Sequence, residues 1–504
     1  MIKKKIFLNI SFDLFLQIIT IFCGFVLPNL IIKHYGSEVN GLIYSISQFL
    51  GYIVIFDSGI GNIVKLLFYQ PLVQNDIENM NVVFNKSQIF FKKISYILIV
   101  YILILPLFFS KTFDFLFVVT MVLIVGANSF SQYYYGITYQ LLIQADQKGY
   151  VISLIQSICV LFSAILSIIL INMNVSIHLV KFISLLFLLL KPIFLHLYVK
   201  KHYVIRKRAY NHDFKFNQKW DSFGHHIAAI IHGNTDIVIL TIFSSNLLLV
   251  SVYSIYNLII KSIENIVLTF SSGMENIFGN MLAKKESEDV IDKFNIYETI
   301  SLMLTTLFFS ITIITIIPFI NLYTSDFKDA NYIEPLFCFI FIIGSLLYCY
   351  QIPYIKLVYS IGHFKETKWS AYSEAIINIV ISIILVRKMG LVGVAIGTTI
   401  AVMYRYIFHI YYVSKKILNR SCLISIKKNI LNLFCLIINV FLINLIKINV
   451  STYLIWIIYA IIIGIITAIT TVLLNLIFYK KDVQYIKKMI IGLFIKKANC
   501  KKHD

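Results

Sequence analysis

The sequence predicts an all-α integral membrane protein, and three observations carry that prediction. Apolar runs of about 20 residues, the length a helix needs to cross the hydrocarbon core, recur fourteen times. Of the 504 residues 59% are apolar and 13% charged, with a mean hydropathy of +0.84, more hydrocarbon than a soluble core of this size could remove from water. Lysine and arginine, finally, gather in alternate gaps between the runs, as they do in the loops of one membrane face.

Runs bounded by charged or turn-rich breaks place the helices near 10–32, 41–68, 89–109, 115–137, 150–171, 177–199, 222–243, 248–279, 297–323, 333–356, 369–387, 390–414, 429–446 and 453–478. The start, Met1-Ile-Lys-Lys-Lys-Ile6, imitates a signal peptide, but Asp13 and Gln17 interrupt its apolar stretch and no small-residue cleavage site follows. It counts as the first span. If the N-terminus is inside, the outer segments carry only Lys33, Lys111, Lys328, Arg387, Lys388 and Lys447, which predicts a multi-pass protein of the inner membrane with both termini in the cytoplasm. A net charge of +20 is thereby assigned to loops at a membrane surface and not to nucleic-acid binding. The seven cysteines form no C-x-x-C pair and predict neither a disulfide framework nor a metal site.

Two halves of the chain look alike. Tyr44-Ser-Ile46 recurs as Tyr253-Ser-Ile255, Pro106 as Pro318, and Ser167-Ile-Ile-Leu170 as Ser382-Ile-Ile-Leu385, in chain order and about 210 positions apart. Six spans separate equivalent helices, so the copies share one orientation and are related by a pseudo-twofold axis along the membrane normal. The expected organisation is a six-helix lobe over 1–205, a second over 206–414, and two added helices with a basic cytoplasmic tail over 415–504. Two such lobes can enclose a cleft that opens to either side.

Four stretches in these positions carry a family resemblance: Lys33-His-Tyr-Gly-Ser-Glu-Val-Asn-Gly-Leu42, Asp57-Ser-Gly-Ile-Gly-Asn62, Gln144-Ala-Asp-Gln-Lys-Gly149 and Gly390-Leu-Val-Gly-Val-Ala-Ile-Gly-Thr398. The chain resembles the Wzx-type flippases, in the polysaccharide-transport branch of the multidrug/oligosaccharidyl-lipid/polysaccharide (MOP) exporter superfamily. The resemblance implies a MATE-like fold. It also implies alternating-access movement of undecaprenyl-diphosphate-linked oligosaccharide repeat units from the cytoplasmic to the outer leaflet, for capsule, exopolysaccharide or O-antigen synthesis. Implied partners are the lipid-linked oligosaccharide, membrane lipids, and a polysaccharide polymerase with other assembly proteins. Lys191, in Leu190-Lys-Pro-Ile-Phe194, stands where relatives often carry a basic residue.

An ionisable side chain at mid-bilayer costs about 2.5 to 3.5 kcal/mol on insertion scales, so it faces a cavity or a partner. On the eighth helix Asn257, Lys261, Asn265, Thr269, Ser272 and Asn276 form a polar stripe on one face. A structural alternative is that Lys261 and Glu264, three residues apart, only neutralise each other. Lys191, Lys261, Asn257, Asn265 and Arg405 are the candidates for the substrate cavity. Asp57, Asp236, Glu264 and His232 are the candidates for ion coupling, histidine because it titrates near neutral pH. His225 and His226 read as interfacial, Lys65 as snorkelling, and Arg405, Glu374 and Lys181 as nearer the boundaries. In the twelfth helix Gly393, Gly397 and Ala401 read as a close helix contact. Asp13, Gln17, Thr20, Gly24 and Pro28 share one side of the first helix, which Pro28 can bend.

A lipid-linked diphosphate calls for cations in a wet cleft. An acidic cleft would instead suit a multidrug or cation exporter of the same superfamily, for which Asp57, Asp236 and Glu264 speak. A membrane-embedded polysaccharide polymerase is the rival from another class, and the short outer loops leave no room for its catalytic domain. Neither G-x-G-x-x-G, Walker A nor nucleophile elbow is present, so a transporter without cofactor or metal, and not an enzyme, is expected.

Overall fold

The computed structural model describes residues 2–57, 59–109, 113–206, 223–244, 246–283, 287–444 and 450–485, with backbone alone at 2–4, 6–7, 223, 272–283, 287–289 and 444. The described residues form α-helices joined by short turns: α1 (Ile2–Tyr35), α2 (Ser37–Gly51), α3 (Val54–Asp57), α4 (Ile60–Gln74), α5 (Ile77–Ile104), α6 (Phe115–Ser131), α7 (Ile137–Ala145), α8 (Gly149–Asn172), α9 (Ile177–His202), α10 (Phe223–Ile239), α11 (Leu247–Ala283), α12 (Ser287–Tyr323), α13 (Pro335–Ile361), α14 (Phe364–Met389), α15 (Leu391–Tyr412), α16 (Cys422–Asn444) and α17 (Tyr453–Phe478). Among the described residues fourteen helical segments are long and apolar enough to cross a membrane, in the order the apolar runs predict. Lipid cannot hydrogen-bond a backbone, so each span satisfies its own N–H and C=O groups as a helix. Two faces of one helix show the consequence for side chains: α1 buries Ile19 and Cys23 against Ala164 of α8 and leaves Ile18 and Phe22 exposed.

One expected helix is broken. The run at 41–68 is divided into α2, α3 and α4, and the segment able to cross a membrane ends at Asp57. The cause is local: Gly59 has a φ of 74°, in the left-handed region where a side chain is disfavoured, and Asp57 Oδ1 accepts a hydrogen bond from Gly61 N at 3.2 Å. Asp57, expected near mid-helix, is therefore the last residue of its span. Lys65 lies beyond it, on α4.

The chain divides into two compact units, Met1–Leu258 with Phe327–Ala330, and Ile259–Asp326 with Asn331–Asp504; the division falls inside α11. In the first unit, α8 packs between α1 and α9. Asp13 accepts a hydrogen bond from the Ser153 hydroxyl of α8, which gives the α1 carboxylate a packing role. At the ends of α1, α7 and α9 a polar clip surrounds Asp146. Lys148 Nζ lies 2.7 Å from its carboxylate, Lys5 Nζ lies 3.6 Å away, and the Tyr203 hydroxyl donates to it at 2.6 Å. Asn9 ties the same turn down, donating to Gln147 O and accepting from Tyr150 N. Burial pushes the Asp146 carboxyl up, but the hydrogen bonds from Lys148 and Tyr203 and the charges of Lys148 and Lys5 outweigh it, and the group is held below its usual 3.8.

In the second unit α14 and α15 form the tightest pair. A Cβ on Gly397 would stand 2.1 Å from Ser382 Oγ and 2.8 Å from Ser382 N, and one on Gly393 would stand 2.6 Å from Leu385 C. The small-residue stripe is thus a backbone-to-backbone approach, where packing replaces the hydrophobic drive that lipid does not supply.

Two outcomes are expected. Gly397→Val should destabilise by about 1–3 kcal/mol through overpacking, read as a lower melting temperature of detergent-purified protein, whereas Gly233→Ala, whose Cβ meets nothing within 4 Å, should not. A carboxylate held below its unfolded value contributes stability above that value and loses it as pH falls through the folded one. The melting-temperature gap between wild type and Asp146→Asn should therefore be constant from about pH 5 to 8 and close as pH falls below about 4.

Candidate functional site

Membrane-embedded charge marks the candidate site, and the second unit holds most of it. Lys261 and Glu264 lie one helical turn apart on α11, with Lys261 Nζ 2.6 Å from Glu264 Oε2. The two are unequal. The Lys261 side chain is 31% exposed and that of Glu264 only 2%, and Glu264 Oε1 is buried with no hydrogen-bond partner among the described residues. Lys261 Nζ also stands 5.8 Å from the ring centroid of Tyr348 on α13, a cation–π contact.

A second pair lies near that tyrosine. Arg405 of α15 donates from Nη1 to Glu374 Oε2 of α14, and both residues are 4% exposed. Tyr348 is within electrostatic reach of Glu264 and Glu374, and Arg405 within reach of Tyr348. Lys261 and Arg405 are thus brought into one neighbourhood on α11, α13, α14 and α15. Arg405 and Glu374 were expected nearer the boundaries, yet they are among the most buried charges because each shields the other from the bilayer. Each cation is paired with a carboxylate.

Elsewhere on α11 the polar stripe changes character along its length. Asn257 is buried and donates to the Tyr44 hydroxyl of α2 at 2.6 Å, whereas Asn265 and Thr269 are exposed. The side chains of Ser272 and Asn276 lie outside the described residues.

The other candidates belong to the first unit. Lys191 on α9 donates to Gln156 Oε1 of α8 at 3.1 Å, and among the described residues no carboxylate pairs with it. Asp236 on α10 is 4% exposed and accepts from the Tyr253 hydroxyl at 2.9 Å. His232 is half-buried and His225 buried on the same helix. The histidine within electrostatic reach of Asp57 is His226, which had been read as merely interfacial. Asp57 itself accepts a hydrogen bond from Gly61 N in the first turn of α4, so its carboxylate has a structural task. Among the described residues no group of three or more His, Cys, Asp or Glu side chains is placed to hold a metal ion.

Sequence reasoning missed one cluster of charges. Glu298 on α12, fully buried, receives Arg420 Nη2 at 3.1 Å, Lys428 Nζ at 3.4 Å and the Tyr354 hydroxyl at 2.7 Å. Lys428 also pairs with Asp482 at 3.0 Å, and Asp482 accepts from Thr299. Two cations and two carboxylates close on each other. A ladder of neutral side chains continues away from them: Thr306 to the Tyr350 hydroxyl at 2.6 Å, Asn475 to Asn432 at 3.3 Å, and Asn439 to Ser310 at 3.1 Å. The run assigned to the thirteenth helix began at 429 and left Lys428 in a loop, whereas the helix starts at Cys422, with Arg420 in the turn just before it. Asn429, Asn432 and Asn439 recur on one face of α16, the same signal that singled out α11.

Glu298→Gln should leave Arg420 and Lys428 buried without their carboxylate and cost about 3–5 kcal/mol. The expected readout is a melting temperature lowered well beyond that of an exposed control such as Glu366→Gln.

Neither protein-family models nor curated protein sequences match the chain. Solved structures do. The chain is similar to a lipid II flippase, MurJ, in an inward closed conformation, at 16% identity over 94% of this chain and 99% of that one, with a TM-score of 0.71. It is also similar to an inward-facing multidrug resistance MATE family transporter of the MOP superfamily, at 13% identity over 79% of this chain and 94% of that one, with a TM-score of 0.60. An outward-facing structure of such a transporter matches at 13% identity over 79% and 92%, with a TM-score of 0.54. At these identities the likeness speaks of architecture, and this chain has the all-helical membrane fold of the lipid II flippase and the MATE transporters.

Proposed function

We propose that this protein is a flippase that carries undecaprenyl-diphosphate-linked oligosaccharide repeat units from the cytoplasmic to the outer leaflet of the inner membrane by alternating access. The observation that carries the reading is the neighbourhood of Lys261, Tyr348 and Arg405: two cations at membrane depth, one of them part-exposed, each paired with a carboxylate. Cations in that position are costly and must be retained for an anionic cargo or for their carboxylates. A diphosphate offers each a stronger partner than one carboxylate does. Lys191, which donates to an amide and pairs with no carboxylate among the described residues, adds positive charge in the first unit. One of the solved structures to which the chain is similar is titled a lipid II flippase.

Under this reading the chain works as two six-helix lobes, 1–205 and 206–414, related by an axis along the membrane normal, with 415–504 added and both termini in the cytoplasm. Asn257 and Asn265 line the cargo path with the cations. Asp57, Asp236, Glu264 and His232 are the candidates for ion coupling, Glu264 foremost because one of its oxygens is buried without a partner. That same oxygen favours a second reading, a multidrug or cation exporter, since a buried acceptor suits a positive cargo. The polymerase of the assembly pathway acts on the flippase's product and is a proposed partner.

Deleting the gene separates these readings: lipid-linked units should accumulate inside the cell and surface polysaccharide should be lost. Unpolymerised units outside would point to a polymerase, and unchanged polysaccharide with new drug sensitivity to an exporter. Within the site, Lys261→Gln should lower surface polysaccharide at least about tenfold in a flippase-null cell at wild-type protein abundance, and Lys261→Arg should keep part of it, because the charge survives while the geometry changes. The double change Lys261→Gln with Glu264→Gln should not restore export. Restoration would mean that Lys261 serves only to balance Glu264.

A further inference from the structure

We propose that the interface of α12, α16 and α17 holds a chain of ordered water through which the second unit exchanges protons with the inner face of the membrane. This rests on the flippase reading and on the orientation proposed with it, in which α12 and α16 begin and α17 ends at the inner face. Every residue that carries it lies in the second unit.

The seam is built in rungs. At its inner end stands the ionic cluster of Glu298, and Asp482, with 19% of its side chain exposed, is where that cluster meets water. Tyr354 of α13 bridges Glu298 to Asn429 of α16, donating to the carboxylate at 2.7 Å and accepting from the amide at 2.9 Å. Further along α12, Thr306 joins the Tyr350 hydroxyl at 2.6 Å and reaches Asn432 at 3.4 Å, and Asn475 of α17 donates to the same Asn432 oxygen at 3.3 Å. Beyond that, Asn439 donates to Ser310 at 3.1 Å and accepts from Thr470. From Glu298 to Ser310 the seam covers about 18 Å of helix. There it stops, because Ile443 of α16 and Tyr459 and Ile463 of α17 pack with Ile311 and Ile314 of α12 in an apolar cluster.

Between the rungs, polar atoms are left over. Among the described residues the hydroxyls of Ser301, Thr305, Tyr406 and Thr471 and the amide oxygens of Asn429 and Asn475 have no hydrogen-bond partner, and all six residues are less than one-tenth exposed. Ser301 and Thr305 continue the Glu298 face of α12 at helical spacing, between the first rung and the second. Thr471 stands one turn from Asn475. Tyr406 of α15 lies within electrostatic reach of Glu298 and Tyr350, with its ring edge-on to that of Tyr354 at 6.4 Å.

A buried polar atom left alone costs more than an interhelical bond returns, so something completes these six. An anion would be served by the hydroxyls but not by the two amide oxygens. A metal cation would find no open carboxylate, since Glu298 and Asp482 are taken by Arg420 and Lys428. Water donates as well as accepts, and buried water makes about three bonds to groups of this kind.

Water and hydroxyls joined in a chain pass protons by exchanging their hydrogen bonds. At the entry Glu298 is surrounded by Arg420 and Lys428 on the α16 side, Tyr479 and Asp482 beyond α17, Tyr354 of α13 and Tyr406 of α15. The apolar cluster at the far end keeps the chain from becoming a leak across the membrane. On α15 it reaches Tyr406, the residue after Arg405, and so brings protons beside a cation of the candidate site.

The test uses the full chain. In nanodiscs, X-ray radiolytic footprinting turns bound water into hydroxyl radical in place, so Tyr354 and Tyr406 should be oxidised at least about tenfold faster than the buried Phe309, after correction for ring reactivity. Thr471→Val with Asn475→Leu fills the seam with hydrocarbon and should bring both rates down to that of Phe309 while melting temperature and membrane abundance stay those of the wild type. Right-side-out vesicles, prepared from a flippase-null cell just after induction of the protein, read transport as cargo sugar that becomes sensitive to impermeant periodate. An outside-acid gradient of about one pH unit should speed this at least about threefold in the wild type and leave the double variant unmoved. Equal oxidation of the tyrosines and Phe309 would overturn the water chain. A gradient that leaves the wild type unmoved, or moves the variant equally, would overturn the proton path. Should the double variant not accumulate, Thr471→Val alone keeps the shape of the side chain and is read in the same way. If no cargo sugar reaches the outside of wild-type vesicles, the flippase reading falls; the footprint then still decides whether the seam holds water, and the same gradient and variants are read on ethidium efflux.

Discussion

A polar or charged group at membrane depth has no water to turn to, and this protein is organised by where such groups find their partners. Backbone groups are satisfied within each helix. Side chains must be satisfied between helices, and the packing follows their pairings: Asp13 with Ser153 joins α1 to α8, Arg405 with Glu374 joins α15 to α14, and the charges around Glu298 join α12 to α16. Where no polar pair is present, small residues bring backbones together, as Gly397 does against Ser382.

The charged clusters differ in how completely they close. Around Glu298 two cations, two carboxylates, a tyrosine and a serine hydroxyl pair with one another, and of the charged groups only Arg420 Nε lacks a partner among the described residues; this is the chemistry of an anchor, and it fixes α16 to the rest of the second unit. Lys261 and Glu264 are closed on one side only, with Lys261 part-exposed and an oxygen of Glu264 unmatched. A group left partly satisfied is costly to keep for stability alone, and the cost is recovered when a ligand completes it. That contrast, and not the mere presence of charge, separates the candidate site from the anchor.

Neutral and ionic contacts also differ in what parting them would cost. The Asn40 contacts to Ser251 and Ser254 are weak bonds around a glycine that permits close approach. The clip around Asp146 uses charges at the ends of the spans, where water can hydrate them when they part. The embedded ion pairs sit where parting would be most expensive.

The order and approximate ends of the spans were legible in the sequence because hydropathy is a local property that the bilayer reads directly. The Lys261–Glu264 pair was legible too, since three residues on a helix place two side chains on one face. The break at Gly59 was present in Asp57-Ser-Gly-Ile-Gly-Asn62 but hidden by the apolar residues around it, and with it went the expected depth of Asp57. Only the tertiary structure decided which groups meet across helices: Asn40 with Ser251, Arg405 with Glu374, Glu298 with Arg420, Lys191 with Gln156. Periodicity fixes which face of its own helix a residue occupies, while its partner is chosen by the packing of distant helices, whose interhelical bonds of about 1 kcal/mol act together and leave no trace in local sequence.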